Sequence, residues 1–110
     1  MLMRTLLALA GVACLWLANP ASASVDAAKA QDLLAKSGCV ACHAKDKKLV
    51  GPSFQEIAKK YKGNAGAEAQ LVKKVADGGS GVWGPVPMPP NKGKGSDADF
   101  KTMVQFILTQ

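Results

Sequence analysis

Cys39-Val40-Ala41-Cys42-His43 places two cysteines three positions apart and sets the only histidine of the 110-residue chain directly after the second. On a helical turn, positions i and i+3 share a face, so two thiols at this spacing can add to the two vinyl groups on neighbouring edges of a haem. The thioether bonds then hold the porphyrin. His43 is brought beneath the iron, which a neutral imidazole can ligate. Three other uses of the motif fit less well. A thioredoxin-like dithiol needs a βαβ setting, and no strand-like alternation surrounds it. A structural zinc site needs four ligands, and Cys39, Cys42 and His43 leave it one short. A Cys39–Cys42 disulfide would close a loop too small to stabilise much.

The compartment agrees with haem attachment. Residues 1–23 begin with a short segment carrying Arg4, continue through an apolar run from Leu6 to Leu17, and end on Asn19-Pro20 and the small residues Ala21-Ser22-Ala23. This pattern predicts a cleavable secretory signal peptide. The run is too short for the roughly 20 residues that span a bilayer. Cys14, inside it, is read as a discarded apolar residue, because Gly11-Val12-Ala13 is a poor lipid-attachment signal. Residues 24–110 then form one exported domain, with thirteen lysines against eight acidic residues for a net charge of +5. A domain this small buries a modest share of its surface and needs a staple, which a large buried cofactor would supply.

Helical signals recur along that domain. Asp26 to Ser37 carries Ala30, Leu33 and Leu34 at helical spacing and stops at Gly38. Ser53-Phe54-Gln55-Glu56 has capping-box form, and Phe54, Ile57, Ala58 and Tyr61 make an apolar stripe. Ala65 to Asp77 presents Leu71, Val72 and Val75 and ends at Gly78-Gly79. Ser96 can cap a last helix with the stripe Phe100, Met103, Val104 and Ile107. No stretch alternates at period two. The expected fold is all-α, with four short helices wrapped around one covalently bound haem.

Between the third and fourth helices, Pro85-Val86-Pro87-Met88-Pro89-Pro90 holds four of the five prolines that follow residue 23. Prolines this dense exclude helix and paired strand and predict a stiff extended strap. Met88 sits at its centre. An iron with His43 on one face takes a sixth ligand, water or an open site, and the choice separates an electron carrier from a gas binder or peroxidase. Met103 belongs to a helical stripe, and Met1 and Met3 leave with the leader, so Met88 is the candidate thioether ligand. A soft sulfur favours Fe(II) and raises the potential.

These residues resemble a class I c-type cytochrome, within it the small soluble cytochrome c-551 group, also called c-552. The resemblance covers the mature chain and rests on Gly38 to His43, on Leu49-Val50-Gly51-Pro52, and on Gly81 to Asn91. It implies that Pro52 accepts a hydrogen bond from the ring of His43 and that Trp83 donates its indole N–H to a haem propionate. It further implies that Asn91 approaches the Met88 sulfur, and that Lys74 stands near the inner propionate where the family often has arginine. The first and last helices should cross.

The implied protein is a periplasmic monomer, not an enzyme, with one haem c and its iron held by Cys39, Cys42, His43 and Met88. It would pass single electrons from an upstream donor to acidic partners such as nitrite reductase or a terminal oxidase. The lysines at positions 45, 47, 48, 59, 60, 62, 73, 74, 92 and 94 would form a basic rim that steers such partners. No stable membrane anchor is expected. Nucleic-acid binding is not expected either, since aromatics are few and no arginine follows Arg4. The competing reading is a haem peroxidase or gas-binding sensor whose sixth site is open; the lack of a second histidine or distal acid/base weighs against it.

Overall fold

The computed structural model describes Gly11 and residues 25–110. The signal peptide expected over residues 1–23 therefore lies, Gly11 aside, outside the described residues. Four α-helices follow: α1 (Ala27–Lys36), α2 (Phe54–Tyr61), α3 (Ala67–Asp77) and α4 (Asp97–Leu108), with a single 3-10 turn at Cys39–Ala41. Among the described residues there is no strand, only isolated bridges between His43 and Lys48 and between Gly79 and Met88. No helix among them is long and apolar enough to cross a membrane.

Helices α1, α2 and α4 each start where a side chain satisfies an orphan backbone donor. Asp26 accepts from the Lys29 N–H at 3.0 Å, and Ser53 from the Glu56 N–H at 3.1 Å. The reciprocal capping box forms at α4, where Ser96 and Asp99 exchange side-chain-to-backbone bonds of 3.1 and 3.3 Å. Helix α3 begins two residues later than its sequence suggests. Asn64 holds the preceding turn by accepting from the Gly66 N–H through its side chain at 2.9 Å and from the Ala67 N–H through its carbonyl at 3.1 Å.

Helix α4 is the hub and packs against α1, α2 and α3. Its Phe100, Met103 and Ile107 meet Leu34 of α1, Phe54, Ile57 and Tyr61 of α2, and Ala67 of α3 in one buried cluster. Met103 is thus core, as its stripe predicts. The α3–α4 contact gains polar support at its rim, where Glu68 meets Lys101 at 3.6 Å and accepts from the Gln105 amide at 3.3 Å.

The segment between α3 and α4 departs from the extended strap expected of it. It doubles back. Gly79 and Met88 exchange two backbone hydrogen bonds of 2.9 Å each, and the Gly81 N–H donates to the Gly84 carbonyl at 2.8 Å. Prolines do keep the return limb out of helix, but Gly79, Gly81 and Gly84 all adopt positive φ and supply the reversal that prolines cannot.

Candidate functional site

The chain reverses after α1 through Gly38, whose left-handed φ of +77° suits a residue without a Cβ. The 3-10 turn that follows is held by the Cys42 and His43 N–H groups, both donating to the Cys39 carbonyl at 3.2 and 3.0 Å. Cys39, Cys42 and His43 therefore sit on one tight turn. Both thiols are free and half-buried. Burial pushes the Cys39 thiol above its usual range, against a weaker opposing pull from the Lys94 charge.

His43 is fixed on three sides. Its Nδ1 lies 2.7 Å from the Pro52 carbonyl. A carbonyl only accepts, so Nδ1 carries the proton and Nε2 keeps a free lone pair for a metal. The ring stacks near Phe54 at a centroid distance of 5.8 Å and an interplanar angle of 21°. Gly51 presses on it from another direction, because a Cβ there would lie 2.6 Å from His43 Cε1. Gly51 is itself tied to the motif by its N–H, which donates to the Cys42 carbonyl at 2.8 Å. Gly51→Ala is expected to displace the imidazole and to cost about 1–3 kcal/mol, as overpacking does. Denaturant unfolding together with the proton resonances of the His43 ring checks this.

Met88 is held from the other end of the chain. Besides its paired bonds to Gly79, it lies against the C-terminus of α3, where a Cβ on Gly78 would collide with the Met88 carbonyl and sit 2.8 Å from the Pro89 carbonyl carbon. Only glycine lets the two segments approach so closely, and Gly78 also has φ +68°. Asn91 anchors the next residues. Its backbone N–H meets the Val75 carbonyl at 3.1 Å, and its side-chain amide donates to the carbonyls of Val75 at 3.1 Å and Pro89 at 3.3 Å. Both hydrogens of the amide nitrogen are thus committed to backbone. The buried Asn91 thus ties the loop to α3.

These groups share one cavity of about 490 Å³, lined by Cys39, Cys42, His43, Pro52 and Met88, by Trp83 and Lys74, and by apolar side chains of all four helices, among them Leu34, Ile57, Leu71 and Val104. Its volume falls within the roughly 300–1,000 Å³ usual for cofactor sites. Two thiols, an imidazole with its Nε2 lone pair free and a thioether line a largely apolar chamber, which is the donor set a haem with two attachment points and two axial ligands requires. The residues fit the group. Trp83 is 41% exposed at the mouth, together with Leu49, Val50, Val82 and Val86. The Lys60 ammonium lies 5.3 Å from the centroid of the Trp83 ring. Among the described residues no cluster of three or more His, Cys, Asp or Glu could hold a separate metal ion.

The contacts of Gly51 and Phe54 with the His43 ring, of Gly78 with Met88 and of Lys60 with Trp83 were not expected from the sequence, which marked Gly51 only as the residue before Pro52, Gly78 only as a helix stop and Lys60 only as part of a basic rim. These contacts join separate segments of the chain.

Comparison with known proteins gives one consistent result. The sequence profile of the family described as Cytochrome c matches residues 27–110. The chain is similar to cytochrome c-551 of Pseudomonas aeruginosa, with 49% identity over 78 residues covering 71% of this chain and 73% of that protein. It is similar to cytochrome c-552 of Nitrosomonas europaea, with 46% identity over 98 residues covering 86% of this chain and 94% of that protein. Among solved structures, the Nitrosomonas europaea cytochrome c552 crystal structure aligns with a TM-score of 0.68 at 47% identity, covering 72% of this chain and 96% of that one. The class 1 cytochrome MtoD from Sideroxydans lithotrophicus ES-1 aligns with a TM-score of 0.71 at 35% identity, covering 78% and 97%.

Proposed function

Because this chain belongs to the cytochrome c family, as a class I c-type cytochrome with one covalently attached haem c, we propose that it is a periplasmic electron carrier whose iron is held between His43 and Met88. The observation that carries this reading is that Met88 lines the same cavity as a His43 whose ring is already committed through Nδ1 to Pro52. The haem supplies one reversibly exchanged electron at its iron.

The chain's residues do the rest. Cys39 and Cys42 attach the porphyrin edge, and the Pro52 carbonyl orients the imidazole and raises its basicity. The loop closed by Gly79 and Met88 and anchored by Asn91 holds the thioether. Such a backbone keeps the ligand set unchanged between oxidation states, so little has to reorganise when an electron moves. Trp83 and Lys74, which line the cavity, would serve the propionate edge. Lys74 is a point charge there, where arginine would offer a bidentate fork.

The lysine-rich surface would steer acidic redox partners such as a nitrite reductase or terminal oxidase, and their association rate should fall as salt rises. With His43 and Met88 both holding the iron, substrate would have no access to it, and the chain would act as a carrier, not an enzyme. Carbon monoxide tests this on the reduced protein at neutral pH. The expected result is no rapid binding; rapid binding would mean an open sixth site and would favour a peroxidase or gas sensor.

A further inference from the structure

Trp83 lines the cavity, as does its neighbour Val82. Its backbone forms the tip of a turn closed by the Gly81–Gly84 hydrogen bond, with Gly81 at φ +108° and Gly84 at φ +115° on either side. The turn belongs to no helix or strand, so no regular element fixes this ring. A cation reaches it from Lys60, near the C-terminal end of α2, whose Nζ stands 5.3 Å from the ring centroid. Lys60 does not itself line the cavity. A cation over an indole face is the strongest of the cation–π pairings.

We propose that Lys60 is the positioning residue for Trp83: its ammonium, set over the ring, ties the glycine-flanked turn to α2 and holds the indole at the haem cavity. The proposal rests on the role given above to Trp83 at the propionate edge. The Lys60 charge comes with the contact, so a positive group is kept beside the edge from which the electron leaves. Positive charge there favours the reduced state. The chain thus holds its propionate partner from behind as well as through the partner's own hydrogen bond. An arginine can replace Lys60 in this role, because a guanidinium also stacks on an aromatic face. A glutamine cannot.

The chain carries its own reporter. Trp16 lies in the leader, so Trp83 is the only tryptophan of residues 24–110, and its emission reads one ring. A haem quenches an indole held close to it, so emission from the holoprotein measures the ring that has swung away. A contact of about 0.5–1 kcal/mol corresponds to a roughly two- to five-fold change in the ratio of displaced to docked ring. The experiment compares holoprotein emission and reduction potential for Lys60→Gln, Lys60→Arg and the neighbouring control Lys59→Gln, with Lys60→Gln repeated in a Trp83→Phe background.

Lys60→Gln is expected to raise the displaced fraction by that factor and to lower the potential, while Lys60→Arg and Lys59→Gln keep wild-type emission. In the Trp83→Phe background the potential shift caused by Lys60→Gln should shrink, because a charge acting alone would shift it equally in both. Emission from Lys60→Gln no higher than from Lys59→Gln would overturn the assignment, as would a Lys60→Arg variant that emits like Lys60→Gln. The potential of Trp83→Phe alone tests the propionate contact. The far-red absorption of the same samples reports Met88, so a failure of the axial assignment shows there and a failure of the Lys60 assignment shows in the emission.

Discussion

Met88→Ala should lower the reduction potential by a few tenths of a volt, a large part of the roughly 0.8 V over which axial ligands move haem potentials. The soft thioether stabilises Fe(II) relative to Fe(III), and water or hydroxide in its place does the reverse. The substitution would remove the proposed ligand without removing its support. Residue 88 is held through backbone bonds to Gly79, and the following residues are held through Asn91 to α3, so the loop keeps its course in the variant. The reduced variant is expected to bind carbon monoxide rapidly, while the haem stays attached through Cys39 and Cys42. Voltammetry and carbon monoxide titration measure both effects. An unchanged potential would mean that the thioether of Met88 is not on the iron.

Phe100→Ala should produce the largest loss of stability of any single truncation. Phe100 is 1% exposed and lies on α4, the helix on which the other three converge. Deleting a buried phenyl ring costs about 3–5 kcal/mol, the lost transfer energy plus the cavity left behind. Domains of this kind hold only about 5–15 kcal/mol in total. For a domain of this length each kcal/mol moves Tm by about 4–8 °C, so a fall of at least about 12 °C is expected in thermal unfolding followed by circular dichroism. Gln31→Ala, at an exposed site on α1 outside the cavity, is the matching control and should change Tm little. Because Phe100 does not line the cavity, its loss should move the potential far less than Met88→Ala.

The parts of this fold that were legible from sequence are those governed by local chemistry. Helix starts at Asp26, Ser53 and Ser96 follow from one side-chain oxygen reaching a donor three residues on. The haem-attachment turn follows from covalent spacing, and the buried face of α4 from a stripe containing Phe100 and Val104. What was not legible depends on contacts between distant segments. The reversal of the loop at Gly79–Met88 required positive φ at three glycines, and composition does not say which sign a glycine will take.

The partners of Asn91 could not be read because they are carbonyls, one of them at Val75 on α3. Backbone groups carry no sequence signal. Gly51 shows the same limit from the other side. Its position before Pro52 was visible, but its reason is the His43 ring that leaves no room for a Cβ. The Lys60–Trp83 contact joins a helix to a loop, and no spacing rule connects them.

A Met88 thioether on the iron, with His43 as the other ligand, would make this chain a carrier. The visible and far-red spectrum of the purified oxidised protein is the sharpest test. The expected result is the weak far-red band of sulfur bound to ferric haem, and its disappearance in Met88→Ala. Absence of that band from the unmodified protein, with the haem still covalently attached, would contradict that ligation.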